Sequence, residues 1–282
     1  PLVRLGSPVK CVETIALNET KESVNITIPS TASNLTVKAS INGTIKAITK
    51  EKIKIIDEGK EKSLDEFEKG KELESIERKT KILEEAKLEN AEKVVIDEEI
   101  KREGIDDKLR DLESKEDELL ADLSGPGQGM GLVTGYVIAE AYTIEADETA
   151  ILINESIEEV TIEYVTEAPY AIEKEVSFGV KQIRIISDLS YEDVLSFTDV
   201  DESAKDNIKL YWVKDTGKEI FDNVDYIDTN LNGLIDRLEW VIPHLSNHTF
   251  EVAITILNVQ SFPTVGGEWT VRFNTSGTGD LT

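Results

Sequence analysis

The chain has 282 residues, and 57 acidic against 31 basic ones leave a formal charge of -26. A field of that sign repels nucleic acid and anionic lipid surfaces, which argues against DNA or RNA as partners. A single cysteine, Cys11, excludes an internal disulfide and any cysteine-rich zinc site, and no apolar run reaches the ~20 residues of a membrane helix, so no membrane insertion is expected within this stretch. The length admits one large domain or two to three ordinary ones. The chain begins at Pro1 without a start methionine and stops soon after a strand-like run, so we read it as a piece of a larger protein.

Residues 1–56 alternate. Val24, Ile26 and Ile28, then Leu35, Val37, Ala39 and Ile41, stand on either side of Pro29-Ser30-Thr31-Ala32-Ser33. Period two with a Pro/Ser break predicts antiparallel strands. Residues 57–124 change texture: 25 acidic and 14 basic residues fall in 57–123, a net of 14 - 25 = -11. Only helix or disorder suits such a composition. Ile105, Leu109, Leu112, Leu119 and Leu123 repeat as a heptad seam with Glu116 at the missing position, and Leu73, Ile76, Leu83 and Val94 form a weaker one. Two antiparallel, coiled-coil-like helices turning near Arg102-Glu103-Gly104 satisfy this pattern most simply. One long bent helix and disorder are the alternatives.

Residues 125–131 carry four glycines, but a phosphate cradle follows a strand and opens a helix. This run follows a helical pattern and opens the apolar stretch 132–142, so it reads as a linker. Strands then return through 132–282: Val160, Ile162 and Tyr164; Ile183 and Ile185; Ile208, Leu210 and Trp212; Phe250, Val252, Ile254 and Ile256; Trp269, Val271 and Phe273. The expected fold is mainly β, with Ig-like antiparallel β-sandwich modules and an inserted charged helical hairpin. Whether the helical segment interrupts one sandwich or separates two is left open.

The most specific motif is Asp228-Thr229-Asn230-Leu231-Asn232-Gly233-Leu234-Ile235-Asp236-Arg237-Leu238-Glu239, which matches the twelve-residue calcium loop. A hard divalent cation takes six to eight oxygens at ~2.3–2.6 Å, so the backbone must wrap tightly and Gly233 permits the sharp turn. Asp228, Asn230 and Asn232 would give side-chain oxygens and Leu234 its carbonyl. Asp236 would act directly or through water, and Glu239 would close the shell with both oxygens. Three formal charges suggest micromolar to millimolar affinity for Ca2+, as in extracellular modules. The leading segment is short and Pro243 would end an exit helix after about one turn, so a solitary loop of the dockerin-like or thrombospondin-type kind is expected, not a paired EF-hand.

Seven Asn-x-Ser/Thr sequons stand at Asn18, Asn25, Asn34, Asn42, Asn154, Asn247 and Asn274, where random placement gives roughly two. None falls in the charged segment, and they point to glycosylation outside a cell. His244 and His248 are four apart, but Pro243 and Ser246-Asn247 oppose the helix that a zinc pair would need. Cys11 alternates with Val9 as a half-buried structural thiol. Carboxylates such as Asp199 and Asp201-Glu202 carry no catalytic information in a chain this acidic, and no Gly-x-Ser-x-Gly elbow is present.

Leu210-Tyr211-Trp212, the loop running into Glu239-Trp240, Val241-Ile242-Pro243-His244-Leu245-Ser246-Asn247 and Trp269-Thr270-Val271-Arg272-Phe273 resemble modules of large secreted archaeal cell-surface proteins. The resemblance spans about residues 160–282. It implies residence at the cell surface and a structural or adhesive role, with no catalytic residues. The expected function is thus a non-enzymatic extracellular module, rigidified by Ca2+, whose partners are other copies or domains of the same surface protein and glycans. The alternative is a calcium-stabilised accessory region of a secreted glycan-active enzyme or protease, with Trp212, Trp240 and Trp269 as a sugar platform.

Overall fold

The computed structural model describes residues 2–123 and 148–255. The glycine-rich stretch 125–131, the apolar stretch 132–142, the run from Trp269 to Phe273 and Asn274 lie outside the described residues. The chain divides into two compact units, Val3–Tyr170 and Ala171–Thr282, the latter together with Pro1–Leu2. Both are built mainly from antiparallel β-structure, as the alternation predicts.

In Val3–Tyr170 the chain runs through β1 (Val3–Arg4), β2 (Val9–Lys21), β3 (Val24–Pro29), β4 (Ser33–Ile41), β5 (Thr44–Ala47), β6 (Ile53–Asp57), β7 (Lys60–Ser63), α1 (Leu64–Leu88), β8 (Lys93–Ile96), β9 (Glu98–Lys101), α2 (Ile105–Leu123), β10 (Glu148–Ile153) and β11 (Ile157–Thr166). Two four-stranded sheets result, in the orders β3-β10-β6-β7 and β2-β11-β4-β5. The turn Ser30-Thr31-Ala32 therefore carries the chain from one sheet to the other, although β3 and β4 are neighbours in sequence. Both sheets give their alternating apolar residues to a single cluster, with Ile26 and Ile28 from β3, Val37 from β4, Ile151 from β10 and Ile162 from β11. By contrast β4 and β5 form a true hairpin. Asn42 and Gly43 link the pair Ile41 and Thr44 with φ of 51° and 70°, the left-handed pair that a two-residue hairpin turn requires.

Strands β10 and β11, which follow the charged segment, complete the sheets begun before it: β10 lies between β3 and β6, and β11 between β2 and β4. The charged segment is thus inserted within one unit, and the boundary between units falls after Tyr170.

The insertion holds two helices. Ser63 caps α1 reciprocally: its hydroxyl accepts the Glu66 N–H at 3.2 Å, and its own N–H donates to Glu66 Oε2 at 2.9 Å. Leu64 and Phe67 enter the shared apolar cluster, while Ile76 and Leu83 are buried further along. Beyond the C-cap Glu89, Asn90 with φ of 54° turns the chain so that Ala91 N–H reaches Ala86 O at 2.9 Å. Helix α2 packs on α1, and of its heptad positions Ile105 and Leu112 are buried and Leu109, Leu119 and Leu123 half-buried. Lys87 meets Asp106 and Lys69 meets Asp122, both at 2.5 Å, so the helices run antiparallel.

Three details of the expected insertion are corrected. The first helix stops at Leu88, and a β-hairpin, β8 with β9, stands between the helices where one direct turn near Gly104 was expected. Val94 belongs to β8, since the run Val94-Val95-Ile96 is β-branched and buried. The charged residues Lys60 to Ser63 form β7, because Glu58 and Gly59, with φ of 50° and 74°, fold them back on β6.

The second unit contains β12 (Tyr170–Ser177), β13 (Val180–Ser203), β14 (Ile208–Lys214), β15 (Gly217–Ile220), β16 (Val224–Ile227) and β17 (Ile235–Ile254). They lie in the order β15-β14-β17-β13-β12, with β16 also paired to β17. Strands β13 and β17 are very long, and their ladder shifts register between Ile186 opposite Asn247 and Tyr191 opposite Leu245. Bulged long strands of this kind turn a corner between layers. As a result the rings of Trp240 and Phe250, both on β17, meet, and Ile183, Leu210, Leu238 and Val252 are buried in the same unit.

Candidate metal centre

The calcium-like motif lies at the tip of a β-hairpin. Strand β16 leads into it and β17 leaves it, with Ile227 paired to Arg237 at the base. No helix follows the loop: Ile235 already starts β17, a strand held between β13 and β16.

Within the loop the oxygens turn inward on the backbone. Asp228 accepts Asn232 N–H at 3.1 Å and Gly233 N–H at 2.7 Å. Asn230 Oδ1 accepts the Asn232 N–H at 3.1 Å, and Asn232 Oδ1 accepts the Leu234 N–H at 2.8 Å. Asp236 accepts the Thr229 N–H at 2.9 Å and its hydroxyl at 2.5 Å. These bonds, led by the Thr229 hydroxyl, hold the Asp236 carboxyl below the usual carboxylate range. Gly233 takes the sharp turn with φ of 90°, and Leu231, with φ of 60°, is 88% exposed.

The structure gathers Asp228, Asn230, Asn232, Leu234 and Asp236 in one turn but not Glu239. Glu239 stands opposite Asp225 on β16 and Phe197 on β13, two residues beyond the base of the hairpin and therefore about 7 Å along the strand. A different carboxylate reaches the loop. Glu202, in the irregular end of β13, accepts the Asn230 side-chain N–H at 2.7 Å. Nearby, Asp199 pairs with Arg237 at 2.9 Å. Nothing in local sequence links residue 202 to residue 230, because the contact arises only when β13 and β17 pair. Among the described residues no three Asp, Glu, His or Cys side chains converge on one point. What the turn offers is a set of carboxylate, amide and carbonyl oxygens suited to a hard cation.

The remaining sequence candidates are dispersed. Asn34, Asn42, Asn154 and Asn247 are exposed, Asn25 is half-buried with its Oδ1 enclosed, and Asn18 lies on β2. His244 and His248 are on β17, where His248 Nε2 lies 2.7 Å from the His244 carbonyl and its ring stands edge-on to Trp212 at 5.0 Å. Cys11 is half-buried against the core of the first unit. Trp240 is buried. Trp212 has Phe250 stacked on one side at 6.0 Å and the Lys214 ammonium over its ring at 4.4 Å.

A cleft of about 690 Å³ in the first unit lies between α1 and α2. Its lysines, Lys69, Lys71, Lys79, Lys108 and Lys115, each have a carboxylate partner, so it has no net cationic character to attract an anion. No family model matches the chain, and neither a curated protein nor a solved structure matches it.

Proposed function

We propose that this chain is a non-enzymatic extracellular module of a larger cell-surface or cell-envelope protein, with a structural or adhesive role and Ca2+ as a stiffening ion. The observation that carries the reading is the hairpin tip of residues 228–236, where Asp228 and Asp236 are brought together with the amide oxygens of Asn230 and Asn232, and Glu202 touches Asn230. Without a cation the Asp228 and Asp236 carboxylates are held by backbone N–H groups and the Thr229 hydroxyl. A bound ion would replace those bonds and cross-link β13, β16 and β17, so binding becomes folding stability. In this reading the two sheets of the first unit form an Ig-like sandwich, the paired α1 and α2 act as a coiled-coil-like arm toward other copies or domains, and the exposed sequons carry glycans. The resemblance to archaeal surface-protein modules supports the same localisation.

Thermal unfolding of the chain, followed by tryptophan fluorescence in millimolar Ca2+ and in chelator, tests this. A midpoint that rises with Ca2+ and not with Mg2+ is expected. Equal midpoints in saturating Ca2+ and chelator would reduce the loop to a polar turn and remove the ion from the function.

A further inference from the structure

We propose that Asn232 is a self-modification site: in the folded loop the backbone nitrogen of Gly233 attacks Cγ of Asn232 and the side-chain amide leaves as ammonia. Three observations carry this. No atom lies within 4 Å of where a Cβ on Gly233 would sit, and glycine itself puts no side chain beside the attacking nitrogen. Its N–H donates to Asp228 Oδ2 at 2.7 Å, which places a carboxylate where the amide proton has to go. The carbonyl under attack is already polarised, since Leu234 N–H donates to Asn232 Oδ1 at 2.8 Å and stays with that oxygen as it gains negative charge. A proton acceptor on the nucleophile and a donor on the carbonyl oxygen are thus supplied by two separate groups of one loop, the pairing that activated nucleophiles share.

As the N–Cγ bond forms, the Gly233 proton passes to Asp228 and the carbonyl electron pair moves onto Oδ1. When that pair returns, the Cγ–Nδ2 bond breaks, and the nitrogen takes the proton from Asp228 and leaves as ammonia. Water then opens the cyclic imide. Attack at Cγ gives aspartate at position 232 and attack at the backbone carbonyl gives isoaspartate. The sum is one water consumed and one ammonia released, with no oxidant or reductant.

The chain contains its own comparator in Asn42-Gly43. There too the glycine N–H donates to a carboxylate, Glu158 Oε2 at 3.1 Å, and no atom lies within 4 Å of a Cβ built on Gly43. Asn42, however, has no donor on its side-chain carbonyl among the described residues. Position 232 therefore reacts faster in the folded chain, although the two dipeptides are equivalent when unfolded.

The chemistry needs no cation, but its consequence rests on the calcium reading above. Aspartate at the fifth loop position adds a negative charge to the ligand set, and Ca2+ bound to Asp228 and Asn232 removes both the proton acceptor and the free amide. The test incubates the full chain, made without N-glycosylation, at mildly alkaline pH in 18O-labelled water and reads both positions by peptide mass spectrometry. In chelator, the ratio of conversion at 232 to that at 42 is expected to rise several-fold from urea to the native state. It should fall back in Asp228→Asn, with circular dichroism checking the fold, and conversion at 232 should stop in Gly233→Ala. A native ratio no higher than the ratio in urea overturns the proposal whatever calcium does. Faster conversion at 232 that Ca2+ leaves unchanged upholds the modification and overturns the calcium reading.

Discussion

The rings of Trp240 and Phe250 lie 5.2 Å apart, tilted by 56°, although ten residues of one strand separate them. A straight run of that length would hold them about 33 Å apart. The contact therefore reports the bend in β17 at its register shift against β13, and it joins the two halves of that strand in one core. Phe250→Ala is expected to cost about 3–5 kcal/mol, read from the midpoint of chemical unfolding. In a double-mutant cycle with Trp240→Ala the losses should be less than additive. Strict additivity would mean that the halves of the strand are stabilised independently. The indole N–H of Trp240 has no acceptor among the described residues, so Trp240→Phe should cost much less than Trp240→Ala.

In the first unit, Thr149 on β10 donates its hydroxyl to Asp57 on β6 at 2.9 Å, while Lys62 holds the other carboxylate oxygen at 2.7 Å. Burial alone would raise the Asp57 pKa, but the Lys62 and Thr149 hydrogen bonds and the nearby Lys71 charge outweigh it, and the carboxyl sits below its usual range. A depressed folded pKa contributes stability that is present above the unfolded value and is lost as pH falls through the folded one. Asp57→Asn should cost about 3 kcal/mol at neutral pH, because Lys71 is left buried with a partner missing. That deficit should shrink as pH falls through the folded pKa and the wild-type carboxyl is protonated. Acid titrations of both proteins at several urea concentrations read this directly, and a deficit independent of pH would assign the loss to packing.

Glu163 on β11 bridges Lys10 on β2 at 2.8 Å and Lys38 on β4, and the two ammonium groups lower its pKa to about 2. Carbon-detected NMR titration should find this carboxyl ionised when most others in the chain are protonated. Lys10→Met and Lys38→Met should each move it upward. Since the bridge is exposed, neither variant should change thermal stability appreciably.

If the loop binds Ca2+, the contact between Glu202 and Asn230 assigns the closing carboxylate to β13. Isothermal titration of Glu202→Gln should then show at least about a tenfold loss of Ca2+ affinity, as Asp228→Asn should, whereas Glu239→Gln should leave it nearly unchanged. The reverse order would mean that the loop refolds on the ion to bring Glu239 back.

Occupancy of the sequons should follow exposure. Material from a glycosylating host should carry glycans at Asn34, Asn42, Asn154 and Asn247 and little at Asn25, whose amide oxygen is enclosed beside β10. Peptide mass spectrometry after enzymatic deglycosylation reads each position. Full occupancy at Asn25 would require glycan transfer before the sheet closes.

Ser63→Ala removes the reciprocal cap of α1 and should cost about 1 kcal/mol. Leu64 and Phe67 follow the cap directly and belong to the shared core. The loss should therefore appear in global unfolding and not only as fraying of the helix.

What the sequence determined by itself is local. Alternation placed β3, β4, β11 and β14, because period two is a property of one strand and its two faces. The spacing from Ile105 to Leu123 found the less exposed face of α2 for the same reason. The loop from Asp228 to Asp236 was readable because its ligand-type residues and Gly233 are consecutive, and its bonds span few residues. Tertiary structure decided the rest. Pairing alone sends β3 and β4 to different sheets and inserts β10 and β11 beside strands from before the helices, since a strand's partners depend on long-range hydrogen bonds that its own pattern does not encode. Val94 fits a helical seam by spacing, yet the run Val94-Val95-Ile96 pairs with β9, because β-branched side chains gain more there. Glu239 belongs to the motif by position and stands away from the turn because β17 is held extended by β13 and β16. That same pairing brings Glu202 to Asn230, a contact between residues that no sequence spacing connects.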